Sequence, residues 1–514
     1  MGMAPSDIAF ARAAAAARRL LVPWVAEGGP GGAVVLFDAA GPRHEAYAGV
    51  ASLADRKALG PGTAFRYASI SKHMLAALLL RSGLDLDCPL GDGLPELRPA
   101  LAGVPLGRAL DMTGGLPDLM ETAWLLGFPF TAGVDRAALL AFAARLGALN
   151  HPVGTEFSYS NTGWRLAEHL LDRRGLPLGP SLDRAFFRPL GLGIRFPADE
   201  AEPVPDLAEG HWHAGADGDW RRGRYGLHFS GSGGLAGTAR DMARWLAALL
   251  ADAPPLRGVL ASLTAPRALA EGRPSFYGLG LAHLRSGGEE LVGHGGSLPG
   301  YKNHVLMAPA RGAGVVVACN REDADPLAMA LALMAVLLDA SPPPEPDFEE
   351  APRGLFAEAE GPGWLELAGP DAVFLGAQER LVAGAAGLLE SRPAYLPMAL
   401  RLEGGVVVGE VGYAARRFLP VPPDAAVPEG LAGLWRCAEE GAEVEVAVRD
   451  GEARATLGAG PLRAAVPLRP LGGNRALLER AHGPWRQRAC LWLRGPGALR
   501  LVTQRSRVLD FRRA

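Results

Sequence analysis

Apolar positions along this chain repeat with two different periods. Residues 6–27 carry apolar side chains at helical spacing, interrupted by Asp7, Arg12, Arg18 and Arg19, and predict an amphipathic helix. Gly32 to Phe37 and Glu45 to Val50 are short apolar runs on either side of Ala-Gly-Pro, the pattern of an antiparallel hairpin. Ser69 to Leu80 is apolar on nearly every side, so its helix is expected to be buried. Arg136 to Leu146 and Thr162 to Arg173 have helical spacing, and Thr238 to Leu250 opens on Thr238-x-x-Asp241, which resembles a capping box. Gly314 to Cys319 reads as a β-branched strand and Pro326 to Leu338 as an apolar helix. A hairpin first, helices in the middle, and a strand and helix last predict an α+β domain. Its two ends of chain would meet in one antiparallel sheet with helices on its faces.

Two proline clusters then break the pattern. Ser341 to Gly354 and Val421 to Gly430 can continue neither a helix nor a central strand, and are expected to be stiff linkers. They divide the chain into residues 1–340, 350–422 and 428–514. The last two segments alternate as strands do. Val444, Val446 and Val448 lead into an Asp450-Gly451 turn, and Ala453, Ala455 and Leu457 return. In the middle segment Trp364 to Ala368, Ala372 to Leu375 and Val406 to Val411 are similar runs, with Glu403-Gly404-Gly405 as a turn. Short strands at this spacing predict small antiparallel barrels or sandwiches.

Composition narrows the partners. The chain has 514 residues, 49% hydrophobic and 21% charged, with a formal net charge of −3. No strong nucleic-acid or membrane field is expected from that balance. No window of about 20 residues is free of charges and breakers, so no membrane span is expected. Residues 6–27 fail as a secretory signal because charges interrupt them, and the expected compartment is the cytoplasm. Cys88, Cys319, Cys437 and Cys490 are far apart and predict reduced thiols with no metal spacing. His211-Trp212-His213 has no third ligand nearby, and Gly231 to Gly237 lacks the lysine and hydroxyl of a phosphate loop. Neither a metal nor an organic cofactor is expected. Lysines are only three, Lys57, Lys72 and Lys302, which makes one at a chemically meaningful spacing worth weighing.

Lys72 has such a spacing. Ser69 and Lys72, three apart on the buried helix, share a face, so the hydroxyl and the amine meet at its first turn. A lysine buried there has its pKa lowered toward that of a working base, and Ser69 becomes a candidate nucleophile. Tyr159-Ser160-Asn161 comes 90 residues later, after a turn-rich loop and before a helix. On an extended stretch Tyr159 and Asn161 face the same side, the phenol to relay a proton and the amide to bind a substrate carbonyl. The alternative is a helix entry with Asn161 as its cap. His294-Gly295-Gly296-Ser297 follows Leu291-Val292 and leaves backbone open for close approach. The Ser297 N–H could there pair with the Ser69 N–H as an oxyanion hole. Lys302, close by, is expected in a surface salt bridge.

The order and spacing of these three motifs resemble the serine β-lactamase and penicillin-binding-protein superfamily, in its class C-like branch. Phe65-Arg66-Tyr67-Ala68, Leu84-Asp85-Leu86-Asp87, Thr113-Gly114-Gly115-Leu116-Pro117, Gly233-Gly234-Leu235 with Thr238, and Pro299-Gly300-Tyr301 look like the same group. In length, in its His-Gly-Gly motif and in its two β-rich segments the chain is similar to the D-aminopeptidases of that superfamily. The resemblance implies a β-lactamase-like catalytic domain followed by two antiparallel β-barrels. It implies a serine hydrolase that forms an acyl-enzyme and releases N-terminal D-residues from peptides, amides or esters. Ser69 would be nucleophile, Lys72 base and Tyr159 proton relay, with Asn161, His294, Gly295, Gly296 and Ser297 binding substrate. The expected partner is a small peptide or amino acid amide, and a homodimer is left open. A β-lactamase-like esterase or a DD-peptidase is the alternative. In the D-aminopeptidases a loop of the last barrel reaches the active site; Ala481 to Gln487 is the candidate here.

Overall fold

The computed structural model describes residues 3–215, 218–341, 353–392, 395–449, 452–458, 460 and 463–514. Most of the first expected linker and the Asp450-Gly451 turn lie outside them. The hairpin is formed by β1 (Gly32–Asp38) and β2 (Gly41–Ala48). Much later in the chain come β3 (Ala282–Ser286), β4 (Glu289–Leu298), β5 (Tyr301–Ala308) and β6 (Ala313–Cys319). These six strands make one sheet in the order β2-β1-β6-β5-β4-β3. The antiparallel pairing of Val35 with Val316 closes the sheet between the two ends of the domain.

The helices that matter to the site are α1 (Asp7–Glu27), α2 (Lys72–Arg81), α3 (Leu119–Leu125), α4 (Arg136–Arg145), α5 (Thr162–Arg173), α6 (Ala239–Leu250) and α7 (Pro326–Leu338). Thr238 caps α6 and accepts from the Asp241 N–H at 2.9 Å, as its motif predicts. Side chains of β1 alternate between two cores. Val34 and Leu36 pack with α1 and α7, whereas Ala33, Val35 and Phe37 pack on the α2 and α6 side. Both faces are covered, which is why the run from Ala33 to Phe37 is apolar throughout. Helix α2 lies inside the second core, with residues from Lys72 to Leu79 buried.

Among the described residues each of the two later segments is a closed antiparallel barrel of eight strands. The first runs from Gly354–Glu358 to Ala414–Pro420, the second from Gly433–Cys437 to Leu509–Arg513. Glu403 and Val406 close one hairpin over Gly404 and Gly405, whose φ values of 56° and 84° need glycine. Closure pairs every strand and leaves no edge open to another chain. Trp364 fills the first barrel and Trp435 the second, each fully buried.

Candidate active site

Ser69 does not begin α2 itself. It lies in a 3-10 turn, Ala68–Ser71, that runs directly into the helix. Ala68 has φ 52°, a left-handed conformation that costs an alanine energy and persists only where the surroundings hold it. The holding contacts come from the glycine-rich segment beside it. The Tyr67 N–H donates to Leu235 O at 2.9 Å and the Leu235 N–H to Ser71 Oγ at 3.1 Å.

Lys72 is fully buried, and its Nζ has three neighbours: Ser69 Oγ at 3.1 Å, Asn161 Oδ1 at 2.9 Å and Ser232 O at 2.6 Å. All three are uncharged. Burial holds the amine well below its usual pKa; Asp118 opposes the shift and Arg505 adds to it. A neutral amine has two N–H groups and one lone pair. Two acceptors, Asn161 Oδ1 and Ser232 O, use the hydrogens, and the lone pair is left for the Ser69 hydroxyl.

Asn161 and Tyr159 come together differently from the extended stretch expected. Asn161 has helical backbone (φ −83°, ψ −15°) at the cap position of α5, yet its side chain makes no cap bond. Asp118 explains why. Its Oδ2 accepts from both the Asn161 N–H at 2.7 Å and Nδ2 at 2.8 Å, which turns Oδ1 toward Lys72. The Tyr159 ring lies 4.9 Å from Lys72 Nζ. Its hydroxyl is buried without a hydrogen-bond partner, and burial raises its pKa, with Tyr395 adding to the rise and the adjacent Ser69 side chain opposing it.

His294 to Ser297 lie on β4, which is not an edge strand. Its neighbour β3 stops pairing at Gly293, however, so the segment beyond is open on that side. Ser297 lines a cleft together with Ser69 and Asn161. Gly296 faces the Ser69 turn, where a Cβ would come 2.2 Å from Tyr67 O; at Gly295 a Cβ would meet the Tyr395 hydroxyl at 2.6 Å. Like Lys72 and Tyr159, the His294 side chain is buried. Its Nδ1 donates to Gly295 O at 2.5 Å, and its Nε2 accepts from the Tyr277 hydroxyl at 2.8 Å. Burial, and next the nearby Lys72, keep this imidazole neutral. Lys302 bonds Glu322 at 2.8 Å and Ser297 Oγ at 2.9 Å, a salt bridge as expected but with one hand on the cleft.

Four groups escape a reading of the sequence: Asp118, Ser232, Tyr395 and Arg505. The last two come from the barrels. Tyr395 packs edge-on against Tyr159 with ring centroids 5.4 Å apart. The Arg505 guanidinium lies 4.7 Å from the centre of the same ring. Its segment is fastened by the Asp118 N–H donating to Arg505 O, Ser158 Oγ donating to Gln504 O, and the Thr122–Ser506 hydroxyl pair. The Ala481 to Gln487 candidate is a tight hairpin, and its Trp485 lines the cleft. Barrel two therefore touches the site twice, and the sequence pointed to only one of the two places.

Glu121, at 4.0 Å from Arg505, has its carboxyl pushed up to about 7 by burial, against the pull of Arg505. A folded-state pKa above the ordinary 4.5 stabilises fully only below about pH 4.5, and the contribution is lost as pH rises to about 7. Glu121→Gln is expected to flatten that fall. Urea midpoints of both proteins, measured across this window, should converge toward acid and separate toward neutral pH, with the variant higher.

Comparison with known proteins gives a consistent placement. The family model described as Beta-lactamase matches residues 14–338. The D-aminopeptidase of Cereibacter sphaeroides (strain ATCC 17029) is 27% identical over 89% of this chain and 90% of its own length. The D-aminopeptidase of Gluconobacter oxydans is 28% identical over 82% of each chain. Among solved structures, D-amino acid amidase from Ochrobactrum anthropi SV3 matches with a TM-score of 0.52 and 25% identity, over 63% of this chain and 98% of that one. The octameric penicillin-binding protein homologue from Pyrococcus abyssi shares the fold over 96% of this chain and 99% of its own, with a TM-score of 0.56 and 18% identity. No helix among the described residues is long and apolar enough to cross a membrane. With well over half its residues matched, the chain belongs to the beta-lactamase family.

Proposed function

We propose that the protein is a D-stereospecific serine hydrolase that releases N-terminal D-residues from peptides, amides or esters through an acyl-enzyme. The D-aminopeptidase relatives and the D-amino acid amidase neighbour support the substrate class. The observation that carries the chemistry is a buried Lys72 with only uncharged neighbours, one of them Ser69 Oγ.

Burial pushes the two candidate bases apart: Lys72 is lowered and Tyr159 is raised. Lys72 is then the base and Tyr159 a neutral phenol that donates. In acylation Lys72 takes the Ser69 proton as Oγ attacks the substrate carbonyl carbon. The Ser69 and Ser297 N–H groups receive the oxyanion. The carbon–nitrogen or carbon–oxygen bond then breaks, and the proton held by Lys72 passes through the Tyr159 hydroxyl to the leaving atom. Asn161, held by Asp118, orients the acyl group. Water then attacks the acyl-serine, and the same groups work in reverse order to free the D-residue.

The test compares kcat/KM for D- and L-alanine p-nitroanilide with that for the N-acetylated D compound. A preference for the free-amine D compound is expected, with a burst of product from an activated ester. Indifference to both configuration and the free amine would favour the esterase alternative.

A further inference from the structure

The cleft beside Ser69 is walled by Met120, Tyr225, Phe229, Leu298 and Trp485. Arg165, one helical turn beyond Asn161 on α5, also lines it. Only 3% of Arg165 is exposed. Its Nη2 donates to His228 O at 2.7 Å, whereas Nη1 is buried with no partner. A buried guanidinium hydrogen without an acceptor is costly, and guanidinium keeps its charge under all ordinary conditions.

The neighbouring carboxylates are committed elsewhere. Glu168 accepts from the Gly231 N–H at 2.7 Å and pairs with Arg136 at 3.3 Å. Asp118 holds Asn161. Glu322 holds Lys302, the Gly300 N–H and Trp485 Nε1. Among the described residues that line the cleft there is no aspartate or glutamate, while there is one cation with an open donor. Such a cleft favours an anionic group over a second ammonium.

We propose that the cleft selects substrates carrying a carboxylate, with Arg165 as the specificity residue that receives it. The inference rests on the hydrolase reading of this cleft. The carboxylate belongs either to an acidic D-residue on the acyl side or to the C-terminus of a short leaving peptide. A planar fork with one nitrogen anchored on His228 O presents the other in a fixed direction, which suits a carboxylate better than a point charge would.

Two isosteric pairs separate the sources. D-glutamyl and D-glutaminyl p-nitroanilide differ only in a carboxylate on the acyl side; D-Ala-Gly and D-Ala-Gly amide differ only in one on the leaving side. In at least one pair the carboxylate member is expected to have a kcat/KM higher by about tenfold or more, the scale of a hydrogen bond to a charged group. Arg165→Met is expected to bring that ratio to within about threefold while the neutral member is still turned over. Arg165→Lys, which keeps a donor for His228 O, is expected to retain a reduced preference, and it is read in place of Arg165→Met should that variant not fold. Equal values within both pairs, or a preference unchanged in the folded variant, overturns the proposal. Calorimetric titration of the Ser69→Ala variant with the members of both pairs reads the same selectivity without turnover. If no amide or ester is hydrolysed, the hydrolase reading has failed. Tighter binding of the carboxylate member of either pair would then still support the carboxylate site, and equal binding within both pairs would end it.

Discussion

Ser69→Ala is expected to lower kcat by about 10^4-fold or more, and Lys72→Met by nearly as much, because the two act as one unit. The double variant should be no slower than Ser69→Ala alone. Additive losses, or full turnover by Ser69→Ala, would place the chemistry elsewhere. The reason lies in the environment of the amine. Its hydrogen-bond neighbours are Asn161 Oδ1, Ser232 O and the nucleophile itself, and burial holds its pKa down against the pull of Asp118. The acid limb of kcat/KM should therefore fall well below pH 10.5, the ordinary value for a lysine. Methionine fills much the same space without a basic amine, so the variant should stay folded by circular dichroism while losing turnover.

Gly296→Ala is expected to cost about 10^2-fold in kcat/KM and about 1–3 kcal/mol of stability, although it adds a single methyl group. That methyl would lie 2.2 Å from Tyr67 O, a backbone atom that cannot rotate aside. Strand β4 would have to move away from the Ser69 turn, and the Ser297 N–H with it. Gly295→Ala is the control. Its methyl meets the tip of the Tyr395 side chain at 2.6 Å, which can shift slightly while its ring stays against Tyr159, so a smaller loss is expected. Kinetics and thermal melting of the two variants side by side separate the cases; equal losses would show that the spacing between β4 and the Ser69 turn is not what the first glycine protects.

What could be read from the sequence was local. Ser69 and Lys72 are three apart, and helical geometry alone brings them together. The apolar run of β1 likewise announces itself within a few residues. His294 was legible as a strand residue, but its partner Tyr277, from whose hydroxyl Nε2 accepts, lies on a separate segment. Asn161 shows the same limit. Its position at a helix entry is a local fact, but the aim of its amide is set by Asp118, 43 residues earlier. Ser232 contributes a backbone carbonyl, which no side-chain motif can reveal. Tyr395 and Arg505 carry no pattern at all; only the docking of two barrels brings them to Tyr159.

That docking ties the reactivity of one phenol to the integrity of parts more than two hundred residues away in the chain. Partial opening of either barrel would strip a wall from Tyr159 and admit water around it before the sheet or α2 had begun to melt. On warming, catalysis should accordingly fade ahead of the main calorimetric transition, so that a damaged molecule falls silent while its core is still intact.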